Sequence, residues 1–167
     1  MDEPNKLLVV DNDFHAYDTP AALIQAIDDL RKEGLRWAYY LQDHHRCKEA
    51  IDGAHYHALL IDNDGDIGLK TLNEIIPVHI PIAYVSAFTL EELKRKYPLL
   101  ENTRNGKLNP TCFKEFGIRF MRKRDIVDHI ITRNGKTTTT SELVDEPGVT
   151  FKTLQMELYN FLKSLSS

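Results

Sequence analysis

The chain is 167 residues long, 42% apolar and 28% charged, with a formal net charge of −4. One domain with a terminal extension fits that length, and the composition is that of a globular protein able to bury a real core. The charge balance excludes a global field that draws nucleic acid. No stretch approaches the roughly 18 to 20 apolar residues of a membrane span, and the acidic start "MDEPNK" is no signal peptide. Cys47 and Cys112 stand far apart with no CxxC spacing, which suits a reducing compartment. A soluble, cytoplasmic protein with no direct nucleic-acid or membrane partner is expected.

Strand-like and helix-like segments alternate along the chain. Leu7–Val10 is an apolar strand. The next segment, "DTPAALIQAIDDLRKEG", reads as a helix capped by Asp18 or Thr19, with Pro20 in its first turn and Gly34 as its stop. Its Ala22, Leu23, Ala26, Ile27 and Leu30 recur on one helical face. "LRWAYYLQ" (35–42) is aromatic and β-prone, and "DHHRCKEAIDG" (43–53) is a short helix. "HALLID" (57–62) is a third strand ending in Asp62, and "GLKTLNEI" (68–75) starts a helix. "IPIAYVSA" (80–87) is the fourth strand, followed by a helix over 89–100 and a polar loop over 101–111. "GIRFMRK" (117–123) is the fifth strand, and "DIVDHIITRNG" (125–135) is expected to be the fifth helix.

Five such β-α units with near-continuous apolar strands imply an α/β fold, a doubly wound parallel sheet covered on both faces. Residues 1–135 are expected to form this domain, 136–150 a linker and 151–167 a C-terminal helical extension. In that extension Phe151, Leu154, Leu158, Phe161, Leu162 and Leu165 form one apolar stripe that has to dock on something. A homodimer built on the stripe is one expectation; packing on its own domain is the other.

Ligands of such sheets bind at the carboxyl ends of the strands. Those ends carry Asp11, Asn12 and Asp13 after strand one, and Asp62, Asp64 and Asp66 on and after strand three. Strand four contributes Ser86 and strand five Lys123. Several carboxylates gathered on one rim cannot all ionise without a cation, and oxygen-only ligands favour Mg²⁺. A hydroxyl and a lysine facing that ion would neutralise phosphoryl charge. A Mg²⁺-phosphoryl site is therefore expected here. The histidines and cysteine at 44, 45, 47, 55 and 57 have no fourth fixed ligand for a transition-metal site.

The motifs "VVDND", "LLID", "YVSA" and "FMRK", in that order on these strands, resemble the response-regulator receiver domain of two-component signalling. The resemblance spans roughly residues 6 to 135. It implies a flavodoxin-like sheet of order 2-1-3-4-5, with Asp62 as phosphoacceptor, Ser86 and Lys123 as phosphoryl-binding groups and Phe120 as a switch aromatic. It implies Mg²⁺ held by Asp11, Asp13 or Asn12, Asp62 and the carbonyl of Asp64. It further implies a histidine kinase or phosphotransfer protein as partner, in a phosphorelay read out by protein association. The sequence departs from the pattern at Asn12, where the family has a second acid, and at Arg124, which follows the lysine in place of proline. It also departs in the loop after Asp62 and in an insertion around 98–113.

Two alternatives follow from the same residues. One is a pseudo-receiver, an interaction module without phosphorylation. The other is a haloacid-dehalogenase-like phosphatase, with "DND" (11–13) or "DNDGD" (62–66) as its first motif. That enzyme needs a later acidic motif, for which only Asp145 and Glu146 are available.

Overall fold

The computed structural model describes residues 3–12, 14, 19–65, 67–76, 78–96, 113–114, 116–122, 130–133, 135–139 and 149–166. Five strands, β1 (Asn5–Val10), β2 (Trp37–Gln42), β3 (Ala58–Asp62), β4 (Ile82–Ser86) and β5 (Arg119–Arg122), form one sheet. Their order is β2-β1-β3-β4-β5, and every neighbouring pair is parallel. Parallel neighbours need crossovers, and helices α1 (Thr19–Lys32), α2 (Cys47–Gly53), α3 (Ile67–Ile75) and α4 (Leu90–Lys96) supply them. A 3-10 turn at His44–Arg46 leads into α2. This is the doubly wound, flavodoxin-like α/β architecture, with one additional C-terminal helix, α5 (Val149–Leu165).

Successive strand residues point to opposite faces, and the two halves of the core follow that alternation. Leu7, Val9, Leu60 and Val85 pack on one side with Leu23 and Ile27 of α1. Leu8, Val10, Ile61 and Tyr84 pack on the other with Leu69 and Leu72 of α3 and Leu93 of α4. Strands buried on both faces explain why β1, β3 and β4 read as unbroken apolar runs.

The expected fifth helix does not form over its second half. Ile130–Arg133 is strand β6, and it pairs antiparallel with β7 (Lys136–Thr139), Arg133 opposite Lys136. The segment is rich in β-branched residues, and the two strands are joined by the dipeptide Asn-Gly, with Gly135 at φ 76°. Asn-Gly is the dipeptide of a two-residue hairpin turn, because both turn positions need φ > 0. The expected linker thus begins as a strand; its residues 140–148 lie outside the described residues, as do Cys112 and all of the expected insertion around 98–113 except Phe113.

The C-terminal stripe docks on its own domain. Leu154, Leu158, Phe161 and Leu162 are 0–5% exposed and join the α1 side of the core. Polar contacts fix the docking. Gln155 donates to Asp29 at 2.8 Å, Lys163 pairs with Glu33 at 2.9 Å, and the Tyr159 hydroxyl bonds Glu33. At the far end the Trp37 indole N–H donates to Ser166 Oγ at 2.7 Å. The stripe that suggested a homodimer is therefore covered within the chain. Among the described residues no helix is long and apolar enough to cross a membrane.

Candidate functional site

A parallel sheet brings all its carboxyl ends to one rim. Val10 pairs with Ile61, so Asp11 and Asp62 follow on adjacent strands, and the Asp11 N–H extends the ladder to Gln42 O at 3.1 Å. Neighbouring strands lie about 4.8 Å apart, so the two carboxylates share a small space. Asp11 is 7% exposed and Asp62 5%. Like charges brought to one rim repel, and a cation placed between them relieves that repulsion. On its other side Asp62 pairs with Val85. Ser86 follows, fully buried, its Oγ accepting the Phe88 N–H at 3.0 Å. Ser86 pairs in turn with Arg122, whose guanidinium donates to Ala87 O at 3.2 Å. Lys123 comes next in sequence; like Asp13 and Asp66, it lies outside the described residues.

Asn12 stands where the resemblance would have a second acid, and its amide is engaged at both ends. Oδ1 accepts the His44 N–H at 3.0 Å, and Nδ2 donates to Asp64 Oδ2 at 3.3 Å. Oδ1 is the only side-chain atom through which Asn12 could ligate a cation, and here it ties β1 to the turn after β2. Asp64 and Gly65 form a left-handed turn, with φ 37° and 68°. Aspartate is among the few residues that tolerate this region.

The segment Asp62–Asn63 is held on every side. The His44 ring Nε2 lies 2.7 Å from the Asp62 carbonyl oxygen, and because a carbonyl only accepts, Nε2 carries the proton. Asn63 N–H donates to Val85 O at 2.9 Å, and Gly68 N–H donates to Asn63 O at 2.8 Å. The Tyr84 hydroxyl bonds Asn63 Oδ1. Tyr84 also belongs to a ring cluster. It stacks on Phe120 with centroids 6.5 Å apart and tilts against Phe113 at 5.0 Å. Phe120, half-buried, is thus linked through one ring and one hydroxyl to the residue after Asp62.

The donors on the rim are oxygens, which fits a hard cation. Among the described residues no three His, Cys, Asp or Glu side chains are grouped to hold a metal ion; Asp11 and Asp62 are two donors. Cys47 does not add a thiolate. Burial, and secondarily the charge of Glu74, pushes its thiol up to about 12.

Reading the sequence singles out Asp11, Asn12, Asp62, Asp64 and Ser86, and the structure brings these five to one rim. That reading notes Asn63 at the end of strand three and His44 among the histidines, but gives neither of them, nor Tyr84, a role at this site. Nothing in "DHHRC" distinguishes His44 from exposed His45, since only the turn after β2 decides which ring is buried.

No family model matches the chain, and no curated protein matches it. Among solved structures it is similar to a CheY-like response regulator receiver domain protein from Methanospirillum hungatei JF-1. That similarity has 13% identity and a TM-score of 0.47, and covers 98% of this chain and 97% of that one. So distant a likeness adds nothing to what the strand order already establishes.

Proposed function

We propose that the chain is a receiver-type signalling module. In this reading Asp62 accepts a phosphoryl group from a phosphohistidine on a kinase or phosphotransfer protein, and the result is read out by protein association. The observation that carries it is a pair of buried carboxylates, Asp11 and Asp62, on adjacent strand ends, with the buried Ser86 hydroxyl on the next strand. An Asp62 oxygen attacks phosphorus; the O–P bond forms as the donor's N–P bond breaks, and the electron pair leaves on the donor's ring nitrogen. Asp11, Asp62 and Asp13 would hold Mg²⁺, which when bound neutralises the phosphoryl oxygens. Ser86 and Lys123 serve as donors to those oxygens. The new charge, about −1.5 to −2, competes for the Ser86 hydroxyl and displaces Phe120 within its ring cluster.

Incubation with acetyl phosphate and Mg²⁺ tests the reading. The parent should gain one phosphoryl group that base and hydroxylamine remove, as from an acyl phosphate, and Asp62→Asn should gain none while keeping its fold. Equal labelling of both proteins would remove Asp62 as acceptor. Steady release of phosphate without a stable adduct would favour the phosphatase; its late motif, Asp145 and Glu146, lies outside the described residues.

One observation favours a second reading, the interaction module without phosphorylation. Asn12 Oδ1 accepts the His44 N–H, and a neutral amide stands there where a second carboxylate would have added charge to the rim. Absence of both labelling and Mg²⁺ binding is the result that reading expects.

A further inference from the structure

His44 bridges three segments of the rim and has no part in the chemistry proposed above. Its backbone N–H reaches Asn12 after β1, and its ring reaches the Asp62 carbonyl at the end of β3. It is 1% exposed. The same carbonyl is also closely approached by the start of α3, since a Cβ at Gly68 would lie 2.5 Å from that oxygen. A peptide plane hydrogen-bonded by the ring and crowded by α3 loses its freedom of rotation, and that rotation sets how the Asp62 side chain sits relative to the turn after it.

A space-filling role does not account for a histidine at this place. Its Nδ1 is buried with no hydrogen-bonding partner among the described residues. Burying an unsatisfied nitrogen is unfavourable, and an apolar ring of the same size would fill the space without that loss. What the imidazole contributes is the one bond it makes. We infer that His44 is a positioning residue: its Nε2–H fixes the peptide after Asp62, and with Asn12 it holds the ends of β1 and β3 to the turn after β2. The consequence for phosphoryl transfer rests on Asp62 being the acceptor; the positioning itself does not.

Three variants separate the possibilities. Glutamine at 44 carries an N–H that reaches about as far as Nε2, asparagine carries one that stops near Nδ1, and leucine carries none. Two readouts are taken on the full chain: amide hydrogen exchange at Asn63 and Gly68, and the rate of labelling by acetyl phosphate with Mg²⁺. In His44→Leu, exchange at both amides should accelerate and labelling should slow on the order of 10- to 100-fold, the scale of a misplaced reacting group. His44→Gln should restore both and His44→Asn neither. If His44→Leu does not fold, the comparison of glutamine with asparagine decides; equal behaviour of those two overturns the inference, as does unchanged exchange in a folded leucine variant. A parent that takes up no phosphoryl group overturns the receiver reading alone, and the exchange data still decide the role of His44.

Discussion

Gly68 lies against the carbonyl of Asp62 so closely that no other residue fits. A Cβ there would meet Asp62 O at 2.5 Å and Asn63 Cα at 2.8 Å, with the Tyr84 hydroxyl at 2.7 Å. Two of those three neighbours are backbone and cannot swing away. Gly68→Ala should therefore force the start of α3 off the strand end and lower stability by about 1–3 kcal/mol, the range of overpacked sites. Gly53→Ala is the control. Nothing stands within 4 Å of a Cβ at Gly53 and its φ is not positive, so the change should be neutral or stabilise by about 0.4–1 kcal/mol. Urea denaturation of the two variants measures this, and equal losses would show that the close approach is not what fixes Gly68.

Much of the sheet can be read from the sequence because its strands are buried on both faces. "KLLVV", "ALLID" and "IAYVS" leave no polar face to confuse the period, and each ends where its apolar run meets a polar residue at the rim. The hairpin is hidden for a local reason. "DIVDHIITRNG" has helix-spaced apolar residues, Ile126 with Ile130 and Val127 with Ile131, and a glycine that serves equally as a helix stop or as a turn residue, and only the β-branched run on both sides of Asn134-Gly135 favours the turn. The carboxylates of the site are legible because ordered strand ends predict a shared rim. The clamp behind them is not, since His44, Asn63 and Tyr84 act through burial and backbone contacts that no spacing encodes.

The docking of α5 makes the C-terminal helix part of the core. Leu158 is 1% exposed and packs on the α1 side of the sheet. Leu158→Ala should cost about 2–5 kcal/mol, as for other buried leucines. Tyr159→Phe, one residue on, removes only the exposed hydroxyl that bonds Glu33 and accepts from Lys163 and should change stability little. Calorimetric melting of both variants checks this. A Leu158→Ala protein as stable as its parent would mean that the helix does not rest on α1 in solution.

Stability should depend on pH through His57. Its Nδ1 accepts the Lys6 backbone N–H at 2.9 Å, and its pKa is held below the ordinary 6.5 by burial first, then by His55 and Lys6. The folded state disfavours the charged ring, so between the folded value and 6.5 the unfolded chain binds more protons. Stability then rises with pH across that window and falls as pH drops below about 6.5, levelling off below the folded value. Denaturation midpoints recorded from pH 7 downward should show this decline, and His57→Gln should flatten it. A decline of the same steepness in the variant would assign it to other groups.

Asn12→Asp tests whether the rim is a cation site short of one carboxylate. The substitution keeps an oxygen to accept the His44 N–H but turns the donor that meets Asp64 into a second negative charge. Without metal, the new carboxylate joins those of Asp11, Asp62 and Asp64 on one rim, and like-charge repulsion should lower the melting temperature. With Mg²⁺ the added carboxylate becomes a ligand, and binding to the folded state alone raises stability by mass action. The rise in melting temperature between chelator and Mg²⁺ should therefore be larger in Asn12→Asp than in the parent, and should vanish in both once Asp11→Ala is added. Identical Mg²⁺ shifts in parent and variant would mean that residue 12 does not face a cation. Asn12 would then be a clip between the ends of β1, β2 and β3, its oxygen already given to His44.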